Sequence, residues 1–454
     1  MKKMNVIYFI CHDIGRELGC YGKPLITPNL DRFAREGICF ENAYCNSPAS
    51  SPSRGCAMTG KYAHVNGQTG LAHMGHPLPE NQKTVVDYLN QAGYKTVHIG
   101  FSHERGCGKN HYQIDLERSI GGFDDYDSKN AVRQAISFLK ENKNSRQPFY
   151  LNIGTCDTHI SRWLWQYDKF NFGKKISAGQ AFVPPYIADT MKNRGALAKF
   201  QTALKYMDYH FGLLTSAIRQ SGYADHTLVI FTTDHGISGP RSKGTLYGRG
   251  VETALLLTAP QIKKGRRVPE LLQNMDLAPT ILDACGLQIP PEIQGKTFWP
   301  LLAGKTYRPH REIFLERNFH GEPAAEKKRH ADIFLDYMFK NRKPEFRDVY
   351  DPIRSVRTEN YCYTRYFRPG LKIQPALPAD LLGLNRADCK MLNNKIIPCR
   401  VMRPREELFD IKNDPLELVN LAKRREYIKI KKKLARSLEN WMKKTKDIKT
   451  TRIK

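Results

Sequence analysis

The sequence predicts an α/β fold: a sandwich of helices around a large, mostly parallel sheet, followed by a smaller C-terminal α+β unit of antiparallel strands and a terminal helix. Three observations carry this. Short apolar runs rich in β-branched and aromatic residues at 6–11, 95–99, 149–153 and 227–231 each end in polar residues, the pattern of parallel strands buried on both faces. Amphipathic helical stretches lie between them. A cluster of breakers, Pro290, Pro291, Pro300, Gly304 and Pro309, then ends the alternation. The expected division is a domain over 1–305 and a subdomain over 306–454.

In order along the chain, 6–11 is the first core strand. Residues 28–36 (PNLDRFARE) form an amphipathic helix, and 84–92 form another that Gly93 terminates before the strand at 95–99. A long helix over 197–220 separates the strands at 149–153 and 227–231. A further helix over 278–285 ends at Gly286. Beyond the break, 312–316, 354–357 and 361–367 read as antiparallel strands, and 322–350 as a charged surface insertion. Ile430, Leu434, Leu438 and Trp441 recur at helical spacing, so the C-terminal segment is expected to dock as a helix with a solvated basic face. In such sheets ligands collect beyond the carboxyl ends of the strands. His12, Asp13, His103, His159, Asp234 and His235 all follow strands directly, which brings their segments to one rim.

The 454 residues exceed one ordinary core. No apolar run is long enough to span a bilayer as a helix. Lys2 and Lys3 precede an apolar run of six residues that ends at His12, without a small-residue cleavage site. The expectation is a cytoplasmic protein, or an exported one from which a leader was trimmed. Eleven cysteines without CxxC pairs support neither a zinc cluster nor a disulfide framework, so buried free thiols are expected. The net charge is +27, and residues 423–454 hold 14 Lys/Arg against three acids. Such a surplus suits polyanionic partners, or solubility alone. Charge alone admits sulfated glycans, nucleic acid or anionic membrane; of these, nucleic acid is not the expected partner.

Residues 50–60 read Ser-Ser-Pro-Ser-Arg-Gly-Cys-Ala-Met-Thr-Gly. Composition alone makes this a turn running into a helix. Arg54 follows Ser50 by about one helical turn, so both can face one site. A plain serine hydroxyl is a poor nucleophile unless something activates it. Asp13 and Asp234 are natural oxygen ligands for a hard divalent cation. Read singly, Asp13 is equally a helix N-cap, Asp234 a turn residue and His159 a structural histidine.

Taken together, these segments resemble the type I sulfatases. Ser50, Pro52, Ser53, Arg54, Thr59 and Gly60 match the family's S/C-x-P-S-R…T-G element. In chain order, His12-Asp13-Ile14-Gly15 with Leu18 to Gly22, Thr27 to Asp31, Lys61 to His64, Thr233 to Gly236, Lys243 to Tyr247, Asp276 to Thr280, and Glu407 to Asp410 with Asp414-Pro415 follow the family's remaining motifs. The resemblance covers nearly the whole chain. It implies an alkaline-phosphatase-like fold, and oxidation of Ser50 to formylglycine (3-oxoalanine), whose hydrate is the nucleophile. It also implies Ca2+, with Mn2+ or Mg2+ as alternatives, held by His12, Asp13, Asp234, His235 and residue 50. Arg54 and Lys243 are then expected to bind sulfate oxygens, His103 and His159 to flank the leaving group, and His64 to hydrogen-bond the hydrate.

Three positions depart from the family. His12 stands where a first aspartate is usual, which removes a negative ligand and suits a softer metal. Phe101 replaces a sulfate-contacting lysine, with Lys109 and Arg105 the nearby cations. Serine at position 50 implies a prokaryotic host and a radical-SAM maturing enzyme. The stretch His64-Val65-Asn66-Gly67…Gly70-Leu71-Ala72-His73…His76 and Arg354 to Arg357 resemble heparan N-sulfatases, so a sulfated sugar is expected, N-sulfoglucosamine among the candidates. His73, His76, Arg162 and His320 are the expected sugar contacts. Two alternatives stay open: a formylglycine-dependent phosphodiesterase or phosphonate monoester hydrolase, and a non-catalytic glycan-binding homologue.

Overall fold

In the computed structural model an eight-stranded sheet forms the centre of the molecule and a four-stranded antiparallel sheet follows it. The structure describes residues 3–105, 111–116, 127–159, 173–185, 187–239, 241–260, 262–323, 346–369, 391–392, 395–396 and 403–447. The strands of the large sheet are β1 (Asn5–Cys11), β2 (Ile38–Tyr44), β3 (Lys95–Gly100), β4 (Ile114–Leu116), β5 (Phe149–Thr155), β6 (Thr227–Thr233), β7 (Leu255–Thr258) and β8 (Arg266–Gln273). Their order is β4-β3-β5-β1-β6-β7-β2-β8. The run from β4 to β6 is parallel, and β7 alone pairs antiparallel, with both its neighbours.

β1, β5 and β6 are buried along their whole length. Successive side chains therefore enter opposite cores. Ile7, Phe9, Ile153 and Phe231 pack on one face, with Phe33 of helix α1 (Pro28–Glu36) and Phe211 of the long helix. Val6, Tyr8, Tyr150 and Ile230 pack on the other, against Leu89 and Ile281. A continuous apolar strand is what a sheet covered on both faces requires.

The predicted helices form, with shifted ends. The helix at 84–92 is Val85–Gln91, started by a reciprocal Thr84–Asp87 capping box. The long helix begins earlier, at Met191, where the Thr190 side chain accepts from the Asn193 amide. The helix expected at 278–285 is Leu277–Ala284. Helix Ser128–Glu141 and strands β2, β4, β7 and β8 lie outside the elements that the sequence predicts.

In the C-terminal part, β9 (Ile313–Pro323), β10 (Phe346–Arg357), β11 (Tyr361–Tyr366) and β12 (Glu406–Asp410) order as β12-β11-β10-β9. The first two hairpin strands run further than expected. They take in both ends of the segment read as an insertion at 322–350, of which 324–345 lie outside the described residues. The basic segment is the helix Ile428–Lys444, docked through Leu434, Leu438, Trp441 and Met442. One apolar cluster joins these to Val356, Tyr363 and Leu408, and also to Cys56, Tyr62, Ala63 and Met275 of the N-terminal part. Residues on both sides of position 305 thus share a core. No helix among the described residues is long and apolar enough to cross a membrane. The eight described cysteines are all free, and six are buried.

Candidate active site

Four adjacent parallel strands, β3, β5, β1 and β6, end at one rim, and the chain turns polar there. β1 delivers His12 and Asp13, and β6 delivers Asp234 and His235 on the next strand. The four side chains are buried, and one ligand atom from each lies within 4.8 Å of the others. Asp13 holds its place with φ at 53°, in the left-handed region, a conformation that costs energy for a residue with a Cβ and is found at functional sites. The Asp13 and His235 amides both donate to Asp234 Oδ1, at 3.1 and 2.9 Å. Gly236, next in chain, has no room for a side chain: an added Cβ would lie 1.7 Å from the Arg249 carbonyl oxygen.

The third segment is helix α2 (Ser50–Thr59), all ten residues of which are buried. Its N-cap is Ala49, whose side chain cannot cap, so the helix presents uncapped amides and the positive end of its dipole at Ser50. Ser50 Oγ lies 3.0 Å from His235 Nε2 and 3.4 Å from His12 Nδ1. His235 Nδ1 faces the Gly236 carbonyl at 2.9 Å. Donation there leaves the Nε2 lone pair turned to the cluster, the tautomer a metal ligand needs. Ser53 anchors the helix from below: its hydroxyl donates to the Asp234 carbonyl, and Asn274 Nδ2 donates to the Ser53 carbonyl and hydroxyl, at 2.8 and 2.9 Å.

Cations surround the carboxylates. Lys243 Nζ donates to both oxygens of Asp13, at 2.8 and 3.0 Å, and Ser238 Oγ donates to Oδ2 at 2.8 Å. His12 Nδ1 lies 2.9 Å from Asp234 Oδ2, and Arg54 Nε 3.4 Å from the same oxygen. Burial alone would raise both aspartates, yet Lys243 holds Asp13, and His12 with His235 hold Asp234, well below the usual carboxylate range. Burial would depress His12, but Asp234 outweighs it and lifts the ring to about 10. Burial does depress His159 and His235, which are neutral near pH 7. Arg54 has both terminal nitrogens buried without a hydrogen-bond partner among the described residues. Buried donors are almost always satisfied, so two such nitrogens suit an anionic ligand.

Two ionised carboxylates and two imidazoles, of which His12 would have to release its proton to the ion, form a mixed oxygen and nitrogen donor set that fits a divalent cation and is softer than an all-oxygen shell.

The remaining expected residues divide. His159 and Phe101 pack on the His12 ring, with centroids 5.2 and 4.6 Å away, and His103 lies 5.1 Å from Phe101. Phe101 also lies under the Arg54 guanidinium at 5.3 Å, so a lost cation is replaced by an aromatic face. Arg105 does not substitute for it: its guanidinium donates to the Pro79 and Gln82 carbonyls. Lys109 lies outside the described residues. His64 donates its amide and Nδ1 to Glu316 of β9. Its Nε2 is buried without a hydrogen-bond partner among the described residues, so no bond joins it to Ser50 there. Ser238, Asn274 and Glu316 were missed, since nothing in their local sequence distinguishes them.

Among the expected sugar contacts, the His76 ring packs on Phe319 at 4.4 Å, and His320 follows on the same strand. His73 lies in the short turn Ala72–Met74, and its side chain and that of His320 are outside the described set. Arg162 falls outside it altogether.

Comparison with known proteins agrees with this geometry. The sulfatase family model matches residues 4–287. The chain belongs to the sulfatase family. A second model, N-sulphoglucosamine sulphohydrolase, C-terminal, matches residues 236–341. This sulfatase is 26% identical to an ulvan-active sulfatase of Formosa agariphila, over 98% of its own length and 81% of the relative's. It is also 26% identical to human N-sulphoglucosamine sulphohydrolase, over 98% and 91% of the two chains. A solved structure in complex with its substrate, D-glucosamine-2-N,6-O-disulfate, superposes with a TM-score of 0.70, 20% identity and full coverage of both chains. The fold is accordingly the alkaline-phosphatase-like one, and the sulfatase is a hydrolase.

Proposed function

We propose that this sulfatase removes sulfate from a sulfated sugar, using a formylglycine made from Ser50 and a divalent cation, Ca2+ first, held by His12, Asp13, Asp234 and His235. The observation that carries it is the buried Arg54 guanidinium, its two terminal nitrogens unpartnered among the described residues, one turn from Ser50 and beside the cluster. When present, the hydrated aldehyde supplies a nucleophile and the cation lowers the pKa of its hydroxyl.

The chain's own residues do the rest. Arg54 offers two N–H groups to sulfate oxygens, a charge-assisted contact with fixed geometry. Lys243 holds Asp13 and keeps positive charge where negative charge shifts during displacement. Without the cation, His235 Nε2 accepts a hydrogen bond from the Ser50 hydroxyl, which keeps residue 50 and the ligand atom adjacent. His159 and His103 lie beside His12, which supports their handing a proton to the departing oxygen or nitrogen. A bound sulfate offsets the burial that keeps His159 neutral, because an adjacent anion favours the protonated ring.

The match of the second family model over 236–341 and the likeness to human N-sulphoglucosamine sulphohydrolase support an N-sulfated glucosamine substrate. Mass spectrometry on the peptide spanning Ser50, from the native host, tests the nucleophile: conversion lowers the mass by about two hydrogens. The matured enzyme is then assayed side by side on N-sulfoglucosamine, O-sulfated sugars, aryl sulfates and phosphonate esters. Unmodified serine in a fully active preparation, or preference for the phosphonate, overturns the proposal.

A further inference from the structure

The C-terminal helix Ile428–Lys444 has a charge pattern that docking does not explain. Its buried side is Leu434, Leu438, Trp441 and Met442. The opposite side, at spacings of three, four and seven residues, carries Lys429, Lys432, Lys433, Arg436, Lys443 and Lys444, all exposed. At 1.5 Å per residue the stripe is about 22 Å long. None of the six is in an ion pair among the described residues. The helix's single acid, Glu439, is turned aside and bound to Arg365 at 2.8 Å. Lys431, off the stripe, is bound to Glu406 at 2.6 Å. Here six cations repel one another on one face, at an energetic cost that like-charge spacing carries.

The helix is also joined to the catalytic region. The Trp441 ring stacks on Phe314 at 5.0 Å and meets Tyr62 and His64 edge-on at 5.0 and 5.4 Å. Tyr62 and His64 belong to the segment that follows α2, the helix Ser50 begins.

We propose that this stripe is a docking track for the acidic chain of a polymeric sulfated glycan; the proposal rests on the sulfated-sugar reading above. A linear run of unpaired cations matches a linear polyanion, and binding releases the polymer's counterions, so affinity falls steeply with salt. The track retains the chain between cleavage events, while Arg54 and the rim histidines select the sulfate removed.

The test combines Lys429→Gln, Lys432→Gln, Lys433→Gln and Arg436→Gln, exposed positions where glutamine keeps helix propensity. A control removes four exposed charges elsewhere: Lys140→Gln, Lys143→Gln, Arg146→Gln and Lys263→Gln. Both are compared with the wild type for salt elution from immobilised heparin, and for kinetics on heparin fragments and on a sulfated monosaccharide. The expected result is earlier elution and a KM on fragments raised about tenfold in the stripe variant only, with kcat and monosaccharide kinetics unchanged. Unchanged KM and retention, or an equal loss in the control, overturns the track. Tighter wild-type binding to single-stranded DNA than to heparin overturns the glycan assignment. If the matured enzyme releases sulfate from no sugar while the stripe variant still loses heparin retention, the substrate reading falls and the track stands.

Discussion

At the level of single residues, Ser50 and Glu316 carry the sharpest expectations. Ser50→Ala removes the reacting atom and one partner of His235 Nε2, so turnover is expected to disappear while the melting temperature moves little; sulfate release by the pure variant checks it. Glu316 is pulled down to about 2: burial would raise it, and His64, followed by Arg354, outweighs burial. Its contribution is therefore present above its ordinary value of 4.5 and is lost as pH falls through about 2. His64 is raised, by Glu316 against burial, so its contribution is complete below its ordinary value of 6.5 and lost as pH rises through the elevated one. The difference in unfolding free energy between wild type and Glu316→Gln should be largest between those two ordinary values, about 3 kcal/mol, and shrink on both sides. Denaturant melts across that pH range measure it. The sequence revealed His64 as notable but not the partner of its Nδ1, because that carboxylate lies 252 residues away.

Among the secondary-structure elements, legibility followed burial. β1, β5 and β6 were readable because apolar runs buried on both faces look alike wherever they occur. β8 was not. Arg266, Arg267, Pro269 and Glu270 interrupt it, which an edge strand tolerates and a central one does not. β9 and β10 extend beyond the predicted runs because polar residues such as Asn318 and Asp351 are buried there against Arg354 and Arg403 rather than by apolar packing. The rim itself was legible from chain order: each strand's final polar residues had to meet once the strands were neighbours. Its tightness was not. Gly236→Ala should demand a backbone shift at the turn holding Asp234 and His235, since its Cβ would collide with the Arg249 carbonyl. The expected outcome is a loss of several kcal/mol in stability together with weakened Ca2+ binding, read by thermal melts with and without the ion.

For the molecule as a whole, the proposed cation site links ion binding to folding through four buried side chains. A chelator should lower the melting temperature of the wild type. Restoring Ca2+ to about a hundred times its dissociation constant should return about 2.7 kcal/mol. Asp234→Asn should abolish that response and the activity together, with isothermal calorimetry as the check. A wild type whose stability ignores both chelator and ion has no such site. The two sheets are also tied as one body: Arg354 of β10 reaches Asp447 at the end of the terminal helix and lies 3.7 Å from Glu316, which in turn holds His64.

Ser50 is 2% exposed, in a helix with no exposed residue. On the proposed mechanism this has a consequence for biosynthesis. An enzyme that oxidises the serine cannot reach it in the finished protein, so conversion must happen while the nascent segment is still extended, in competition with the collapse that seals it. The active fraction of any preparation is then set by timing at the ribosome, and incubating the purified, folded protein with the oxidising enzyme should rescue nothing until it is first unfolded.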